Sequence, residues 1–206
     1  MKPAASVAMT RYDVRPLTPA RVDDYLGFFD HERGAAFSDN PEWAKCYCHF
    51  YEVPRALDWP SIPADANRVA MRARIEVGEM EGFLAYDGDE VVGWMNAQPR
   101  HKLPHCFERM RISAPPITCA PSNAAVIVCF VIAPARRRTG IARTLLDRGL
   151  AQLAERGIEL VDAFPFKSGA STSAADHYHG ALPMFLHAGF AVIAENENLT
   201  VVRKLL

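Results

Sequence analysis

Residues 124–142 read AAVIVCFVIAPARRRTGIA, and this stretch decides the fold. Its first ten residues are a continuous apolar run, which is typical of a strand buried on both faces of a sheet. A short basic loop follows, and a helix is predicted at 140–155 because apolar residues recur there at helical spacing. A further strand is predicted at 159–164, so this part of the chain forms a strand-helix-strand unit.

The rest of the chain predicts a mixed sheet with helices on both faces, which is an α/β architecture. Thr18 and Pro19 mark the start of a helix, and Asp87-Gly88 favours a β-hairpin. Residues 99–123 carry five prolines and are expected to be a long loop. The other predicted elements are strand 14–17, a helix from Pro19 to about Glu32, helix 65–77, strands 83–86 and 91–97, helix 182–187, and strands 190–194 and 200–204.

Composition limits the class of protein. The 206 residues are 50% hydrophobic with a net charge of −1, so neither nucleic acid nor an anionic membrane is an expected partner. We expect one domain over 1–206, with an N-terminal half at 11–123 and a core at 124–206 that carries the strand-helix-strand unit and a C-terminal hairpin. An odd count of five cysteines, no leader and no apolar run of about 20 residues favour a cytoplasmic protein with free thiols. A homodimer is the expected assembly, since homodimers are the commonest soluble oligomers.

The basic loop predicts an anion site. The first N–H groups of a helix have no partner within the helix, and the helix dipole adds partial positive charge there. A pyrophosphate supplies the missing acceptors and the opposite charge. Gly140 and Ala142 are small enough to let phosphate oxygens approach the backbone, and Arg136, Arg137 and Arg138 add positive charge. An ordinary helix start on an α/β domain is the alternative interpretation of this loop.

The pattern Arg137-x-x-Gly140-x-Ala142 resembles the Arg/Gln-x-x-Gly-x-Gly/Ala acetyl-CoA motif of the GNAT N-acetyltransferases. The late Phe185-x-x-x-Gly189-Phe190 fits that family in order and spacing. The resemblance covers about residues 11–206 and points to a bacterial subgroup. The landmarks of that subgroup include Trp43-x-x-Cys46-Tyr47-Cys48, Gly82-Phe83-Leu84-Ala85-Tyr86, Val92-Gly93-Trp94, Cys129-Phe130-Val131-Ile132 and Ala163-Phe164-Pro165.

The resemblance implies a GNAT fold and transfer of an acetyl group from acetyl-CoA to an amine by direct attack. Strands 124–133 and 159–164 would splay apart to admit the pantetheine arm of the cofactor. A small-molecule amine is the expected acceptor, since no broad charged groove is evident. The residues that the resemblance implies for binding acetyl-CoA are Phe130, Val131, Ile132, Arg137, Arg138, Thr139, Gly140, Ile141 and Ala142.

The family pattern breaks at two positions that carry protons in many members. Where those members have a glutamate and a tyrosine, this sequence has Val126 and Phe185, and neither can transfer a proton. Tyr178 is the preferred substitute acid, and Cys129 is a second candidate, although a buried cysteine is more often a core residue. A non-catalytic acyl-CoA-binding module and a cysteine hydrolase using Cys129 stay as alternatives.

An aromatic segment at 40–53 predicts a pocket for the acceptor. Trp43 and Tyr47 are expected in its wall together with Phe50 and Tyr51, and Trp94 is expected to line the same pocket. A hydrophobic cluster beneath a loop is the alternative. We expect no metal, because Cys46-Tyr47-Cys48-His49 lacks the paired spacing of a structural zinc site.

Overall fold

The protein is described by a computed structural model that covers residues 11–30, 34–167 and 177–206. Its described strands form one seven-stranded mixed sheet. The strands are β1 Asp13–Pro16, β2 Phe83–Asp87, β3 Glu90–Pro99, β4 Ala124–Ile132, β5 Leu160–Ala163, β6 Ala191–Glu195 and β7 Thr200–Leu205. The helices are α1 Val22–Phe29, α2 Ala64–Glu76, α3 Cys106–Met110, α4 Ile141–Glu155 and α5 Leu182–His187.

The strands lie in the order β1-β2-β3-β4-β5-β7-β6. Only the β4–β5 pair is parallel within this described sheet, and helix α4 makes the crossover between the two strands. Strand β4 is central, and eight of its nine residues are buried, as its continuous apolar sequence predicts. The mixed sheet with helices on both faces is therefore confirmed.

Each face of the sheet has its own apolar core. On one face, α1 and α2 pack through residues such as Tyr25 and Met71 against Trp94. On the other face, α4 and α5 pack through residues such as Leu145 and Phe185. Because side chains alternate along a strand, Val126 belongs to the first core and its neighbours to the second.

A β-bulge interrupts this alternation in β4. Asn96 of β3 lies opposite Cys129, whereas Ala97 lies opposite Ile127, so Val128 is one extra residue in β4. As a result Val128 and Cys129 both belong to the core on the α1 and α2 face. The bulge therefore turns Cys129 towards the N-terminal half of the chain.

Strands β4 and β5 pair only over a short length. Their register runs from Ala124 opposite Leu160 to Ile127 opposite Ala163. Strand β4 continues for five more residues to Ile132 while β5 has already ended. Beyond the pairing, the main chain of Tyr178 lies beside β4, because the Phe130 N–H donates to the Tyr178 carbonyl oxygen at 2.6 Å.

Several predicted bounds differ from those observed. Helix α1 ends at Phe29, and a 3-10 turn at Pro19–Arg21 precedes it. The long loop contains the short helix α3 and two 3-10 turns, at Arg100–Lys102 and Pro121–Asn123. The hairpin at Asp87-Gly88 is confirmed, and Gly88 has the positive φ of +65° that favours glycine there. None of the described helices has both the length and the apolarity needed to span a bilayer.

Candidate acyl-transfer site

The start of α4 offers unpaired main-chain donors. The Thr144 N–H donates to the Gly140 carbonyl at 2.9 Å, and this is the first bond of the helix. The N–H groups of Ile141, Ala142 and Arg143 precede that bond, so they have no acceptor within the helix. Gly140 is the N-cap residue with φ +92°, and a Cβ there would meet no atom within 4 Å. Glycine is thus required by the backbone conformation, and the space above it is open.

Side-chain hydrogen bonds fix the loop before α4. The Tyr12 hydroxyl donates to Thr139 Oγ1 at 2.9 Å, and the Thr139 hydroxyl donates to the Arg136 carbonyl at 2.6 Å. Arg138 adopts a left-handed conformation with φ +65°. These bonds hold the loop in one shape, which prepares the helix start for a ligand without further ordering.

The three arginines of the loop differ in their partners. Arg136 forms ion pairs with Asp87 at 3.0 Å and Glu90 at 3.1 Å, the last residue of β2 and the first residue of β3. Arg137 forms a two-bond ion pair with the carboxylate of Asp39. Arg138 is exposed. Arg137 and Arg138 line both cavities described next, so these two residues face the space where the motif predicts a pyrophosphate.

Two adjoining cavities lie beside this helix start. The smaller, of about 370 Å³, surrounds the start of α4. The larger, of about 440 Å³, extends along β4 to the aromatic segment. Both are lined by Ile132, Arg137, Arg138, Ala142 and Met184. Together they make a continuous path from the basic loop to the aromatic side of the protein.

The strand predicted to hold the pantetheine arm lines this path. Phe130, Val131 and Ile132 all border the larger cavity. Among the three, Ile132 is the most exposed. The Phe130 N–H already donates to Tyr178, so an arm lying along β4 would have to pair with other groups or displace that carbonyl.

The far end of the larger cavity is aromatic. Trp43 lines it, as the sequence predicted, together with Phe50 and Tyr51. Trp59 completes this side and packs edge-on against Phe50 at 5.2 Å between ring centroids. Trp59 was not among the predicted residues, because a single tryptophan in a proline-rich loop carries no periodic signal.

Tyr47 and Trp94 lie elsewhere than predicted. Tyr47 is buried, and its hydroxyl donates to Asp30 Oδ1 at 2.9 Å. Trp94 is fully buried against Tyr25, with ring centroids 5.0 Å apart. Neither residue borders the larger cavity in the described part of the chain. The period-2 alternation of β3 turns Trp94 into the core on the α1 and α2 face, and a left-handed turn does the same for Tyr47.

The candidate acid Tyr178 borders the larger cavity. Its ring packs edge-on against Trp43 at 5.1 Å and against Phe166 at 5.4 Å. Its neighbour His179 is buried and shares a 3.0 Å hydrogen bond with the Tyr51 hydroxyl. Burial lowers the pKa of His179 to about 3, so this imidazole is neutral at physiological pH and is a poor proton acceptor.

The other predicted positions agree with a site that lacks the usual proton carriers. Val126 and Phe185 are fully buried. The Phe185 ring packs against Phe130 and Phe190, with centroids 6.1 and 5.1 Å away. Cys129 borders the larger cavity, but hydrogen bonding to Cys48 and burial raise its pKa well above the ordinary value. The Cys129 thiol is therefore protonated at neutral pH.

Cys48 was named in the sequence only as part of a family landmark, with no role in the site. It borders the larger cavity, and its Sγ accepts hydrogen bonds from Trp94 Nε1 at 3.4 Å and Asn96 Nδ2 at 3.5 Å. These donors come from β3, about 46 residues later in the chain, so no local pattern could indicate them. Across the described ranges, no group of three or more His, Cys, Asp or Glu side chains is arranged to hold a metal ion.

A family model described as the acetyltransferase (GNAT) family matches residues 42–182. The GNAT domain of S. lividans PAT has a TM-score of 0.54 at 18% identity, covering 94% of this chain and 89% of that one. PaiA N-acetyltransferase from Thermoplasma acidophilum, in complex with coenzyme A, has a TM-score of 0.52 at 11% identity, covering 95% and 99%. Ribosomal-protein-alanine N-acetyltransferase from Brucella melitensis has a TM-score of 0.52 at 16% identity, covering 94% and 99%.

No curated protein matches the chain significantly. The structural likenesses lie below 25% identity and show the fold alone. Strands β4 and β5 stop pairing after Ile127 and Ala163, and a helix start follows β4, which is the arrangement expected for binding a coenzyme A thioester. The family match covers more than half of the chain, which therefore belongs to the GNAT family of acetyltransferases. It is an N-acetyltransferase that uses acetyl-CoA as co-substrate.

Proposed function

We propose that this enzyme acetylates a small amine that carries an aromatic or similarly flat apolar group. The proposal rests on one observation, the aromatic end of the 440 Å³ cavity. Small-molecule sites typically have volumes of about 300–1,000 Å³ and mostly apolar walls with a few polar groups. The cavity meets that description, and its aromatic side is formed by Phe37, Trp43, Phe50, Tyr51, Trp59 and Tyr178.

The orientation of the two substrates follows from the charges along the path. The basic end, at Arg137 and Arg138, suits the diphosphate of coenzyme A, which would accept from the N–H groups at the start of α4. The aromatic end is left for the acceptor. The exposed Glu42 side chain borders this end and supplies a carboxylate that attracts a protonated amine.

Lys45 also borders the aromatic end, and its Nζ donates to the Pro60 carbonyl at 3.1 Å, which directs this cation towards the loop that carries Pro60. The aromatic end therefore offers flat apolar surface, the Glu42 carboxylate and the Lys45 cation. The flat surface and the carboxylate suit an arylalkylamine.

The experiment is a panel of acceptors assayed with acetyl-CoA. An arylalkylamine, an aliphatic polyamine and a peptide with a free N-terminus are compared by thiol release and by mass spectrometry of the acetylated product. We expect the arylalkylamine to give the highest kcat/KM. A preference for the peptide or the polyamine would contradict the proposal, and tight acetyl-CoA binding with no acceptor-dependent thiol release would favour a binding module.

One variant tests the aromatic end directly. Trp43→Ala should raise KM for the arylalkylamine about tenfold, since a buried aromatic contact contributes about 1.5 kcal/mol. The Kd for coenzyme A should stay the same. Leu57→Ala is the matched control, because Leu57 is exposed on the same segment and does not border the cavity.

A further inference from the structure

The sulfur of Cys48 lies in an environment made of donors. An indole N–H can only donate, so the 3.4 Å contact from Trp94 Nε1 places a donor against the sulfur. The Asn96 side chain donates from its Nδ2, which lies 3.5 Å from Cys48 Sγ. Cys129 lies within hydrogen-bonding range of the same sulfur.

The direction of the Asn96 contact is set by a chain of hydrogen bonds. The backbone N–H of Glu81, which is necessarily a donor, points at Gln98 Oε1 at 3.4 Å. Gln98 must then present its Nε2, which lies 2.9 Å from Asn96 Oδ1. Asn96 in turn must present Nδ2 to Cys48. A flipped Asn96 amide would face one N–H₂ group with another, so its orientation follows from the backbone.

Backbone conformation brings Cys48 to this position. Tyr47 and Cys48 are consecutive non-glycine residues with φ of +44° and +55°, a left-handed conformation that is strained for any residue with a Cβ. The Tyr25 hydroxyl donates to the Tyr47 carbonyl at 2.6 Å, and the Tyr47 hydroxyl donates to Asp30. Strain of this kind persists where surrounding contacts hold it, and it concentrates at functional sites.

The bulge in β4 brings the second sulfur to the same place. Because Val128 is an extra residue, Cys129 faces the α1 and α2 side of the sheet, where Cys48 lies. Both cysteines border the larger cavity, beside the aromatic end. The two thiols therefore lie close together in the wall of this cavity, where a group bound in the cavity can reach them.

We propose that Cys48 is the group that accepts a proton from the acceptor amine. This inference rests on the proposed function. The ammonium form of the acceptor gives one proton to the Cys48 thiolate and becomes a neutral amine. Its nitrogen attacks the acetyl carbonyl carbon, the C–N bond forms, and the C–S bond to coenzyme A breaks. Tyr178 gives its phenolic proton to the departing thiolate and takes up the second proton from nitrogen, and Cys48 later returns its proton to water.

The electrostatics around Cys48 support this role. The hydrogen bond from Cys129 is the largest cause that lowers the Cys48 pKa, and the donors Trp94 and Asn96 act in the same direction. Burial and the Glu52 carboxylate act against ionisation but do not outweigh the donors. The other titratable groups facing this sulfur are Cys46, whose pKa burial raises to about 12, and the buried phenols Tyr25 and Tyr51, whose pKa values burial raises.

The first test measures the thiolate without any acetyl transfer. Thiolate absorbance in the ultraviolet is titrated with pH for the wild-type enzyme and for Cys48→Ser, with Cys119→Ser as the control for loss of one thiol. Serine can accept the same two hydrogen bonds from β3, so the variant should fold. The wild-type titration should contain a step below the ordinary cysteine range of about 8.5 that only Cys48→Ser lacks. Its presence in Cys48→Ser would overturn the proposal.

The second test measures the pH dependence of turnover with the best acceptor. Cys48→Ser should lose about 100-fold in kcat at neutral pH, and the loss should shrink as pH approaches the pKa of the acceptor, where the amine loses its own proton. Trp94→Phe removes one hydrogen-bond donor to the sulfur. Both the thiolate step and the acidic limb of the pH–rate profile should therefore move to higher pH. Unchanged profiles in an active enzyme would contradict the base role. Absence of turnover with every amine would instead defeat the proposed function, since the thiolate step is measured separately.

Discussion

The backbone N–H of Phe130 donates a 2.6 Å hydrogen bond to the carbonyl oxygen of Tyr178. This bond lies just past the point where β4 and β5 stop pairing, so residue 178 takes the place that a neighbouring strand would occupy. It fixes the main chain of Tyr178 against the strand that borders both substrate spaces. The Tyr178 ring packs separately against Trp43 and Phe166. Main-chain and side-chain contacts together therefore fix the position of Tyr178.

Tyr178→Phe should lower kcat at least about tenfold, because phenylalanine cannot supply a proton to the departing thiolate. The ring contacts with Trp43 and Phe166 are preserved in this variant, so the Kd for coenzyme A and the unfolding midpoint should not change. Steady-state kinetics and titration calorimetry on the same preparation give the three values. Turnover equal to wild type would rule out Tyr178 as the acid.

Asp39→Asn should tighten coenzyme A binding about 1.4- to fivefold. Asp39 forms an ion pair with Arg137 and competes with a phosphate for that guanidinium. An exposed pair of this kind contributes about 0.2–1 kcal/mol, which sets the size of the effect. Calorimetry at low and high salt is the measurement, since screening should diminish the difference.

Glu76→Gln is the control for that experiment, because it makes the same change in charge at a surface pair with Arg72. It should leave the affinity for coenzyme A as it is. Equal affinity in Asp39→Asn and wild type would mean that Arg137 does not contact the cofactor.

Much of the fold was predictable because it depends on local patterns. The apolar run of β4, the helical periodicity of α4 and the Asp87-Gly88 hairpin each carry their signal within a few residues. The helix start after β4 was predictable for the same reason. Helix ends were less so, and α1 stops at Phe29 rather than near Glu32.

The acceptor side depended on tertiary structure that no local pattern encodes. The bulge at Val128 decides which face Cys129 occupies. A continuous apolar strand shows the same sequence pattern whether or not it contains a bulge. The left-handed turn at Tyr47 buries one aromatic side chain that the sequence placed in the pocket. Trp59 and Cys48 reach the cavity through contacts between distant segments.

His179 should make the protein less stable as pH falls. Its pKa in the folded protein is lowered to about 3 by burial, against an ordinary value of about 6.5. Between these values the unfolded chain binds a proton that the native state does not, so stability declines with falling pH by ~1.4 kcal/mol for each pH unit from this group. His179→Gln should flatten that slope in urea unfolding at neutral pH and at about pH 5.

Glutamine keeps a hydrogen-bonding partner for the Tyr51 hydroxyl, so the comparison isolates the titration. Parallel stability curves for His179→Gln and wild type would show that the imidazole is not held neutral in the folded protein.

Binding of coenzyme A at the start of α4 is the claim on which the account depends, and calorimetry on Ala142→Glu tests it most directly. Ala142 borders both cavities, and a glutamate there would repel a diphosphate while its charge suits a helix N-terminus. We predict that Ala142→Glu stays folded with an equal or higher unfolding midpoint but loses at least about tenfold in affinity for coenzyme A. Ala151→Glu, exposed later in the same helix, should bind like wild type. Equal affinities in all three proteins would contradict the assignment of this helix start as the cofactor site.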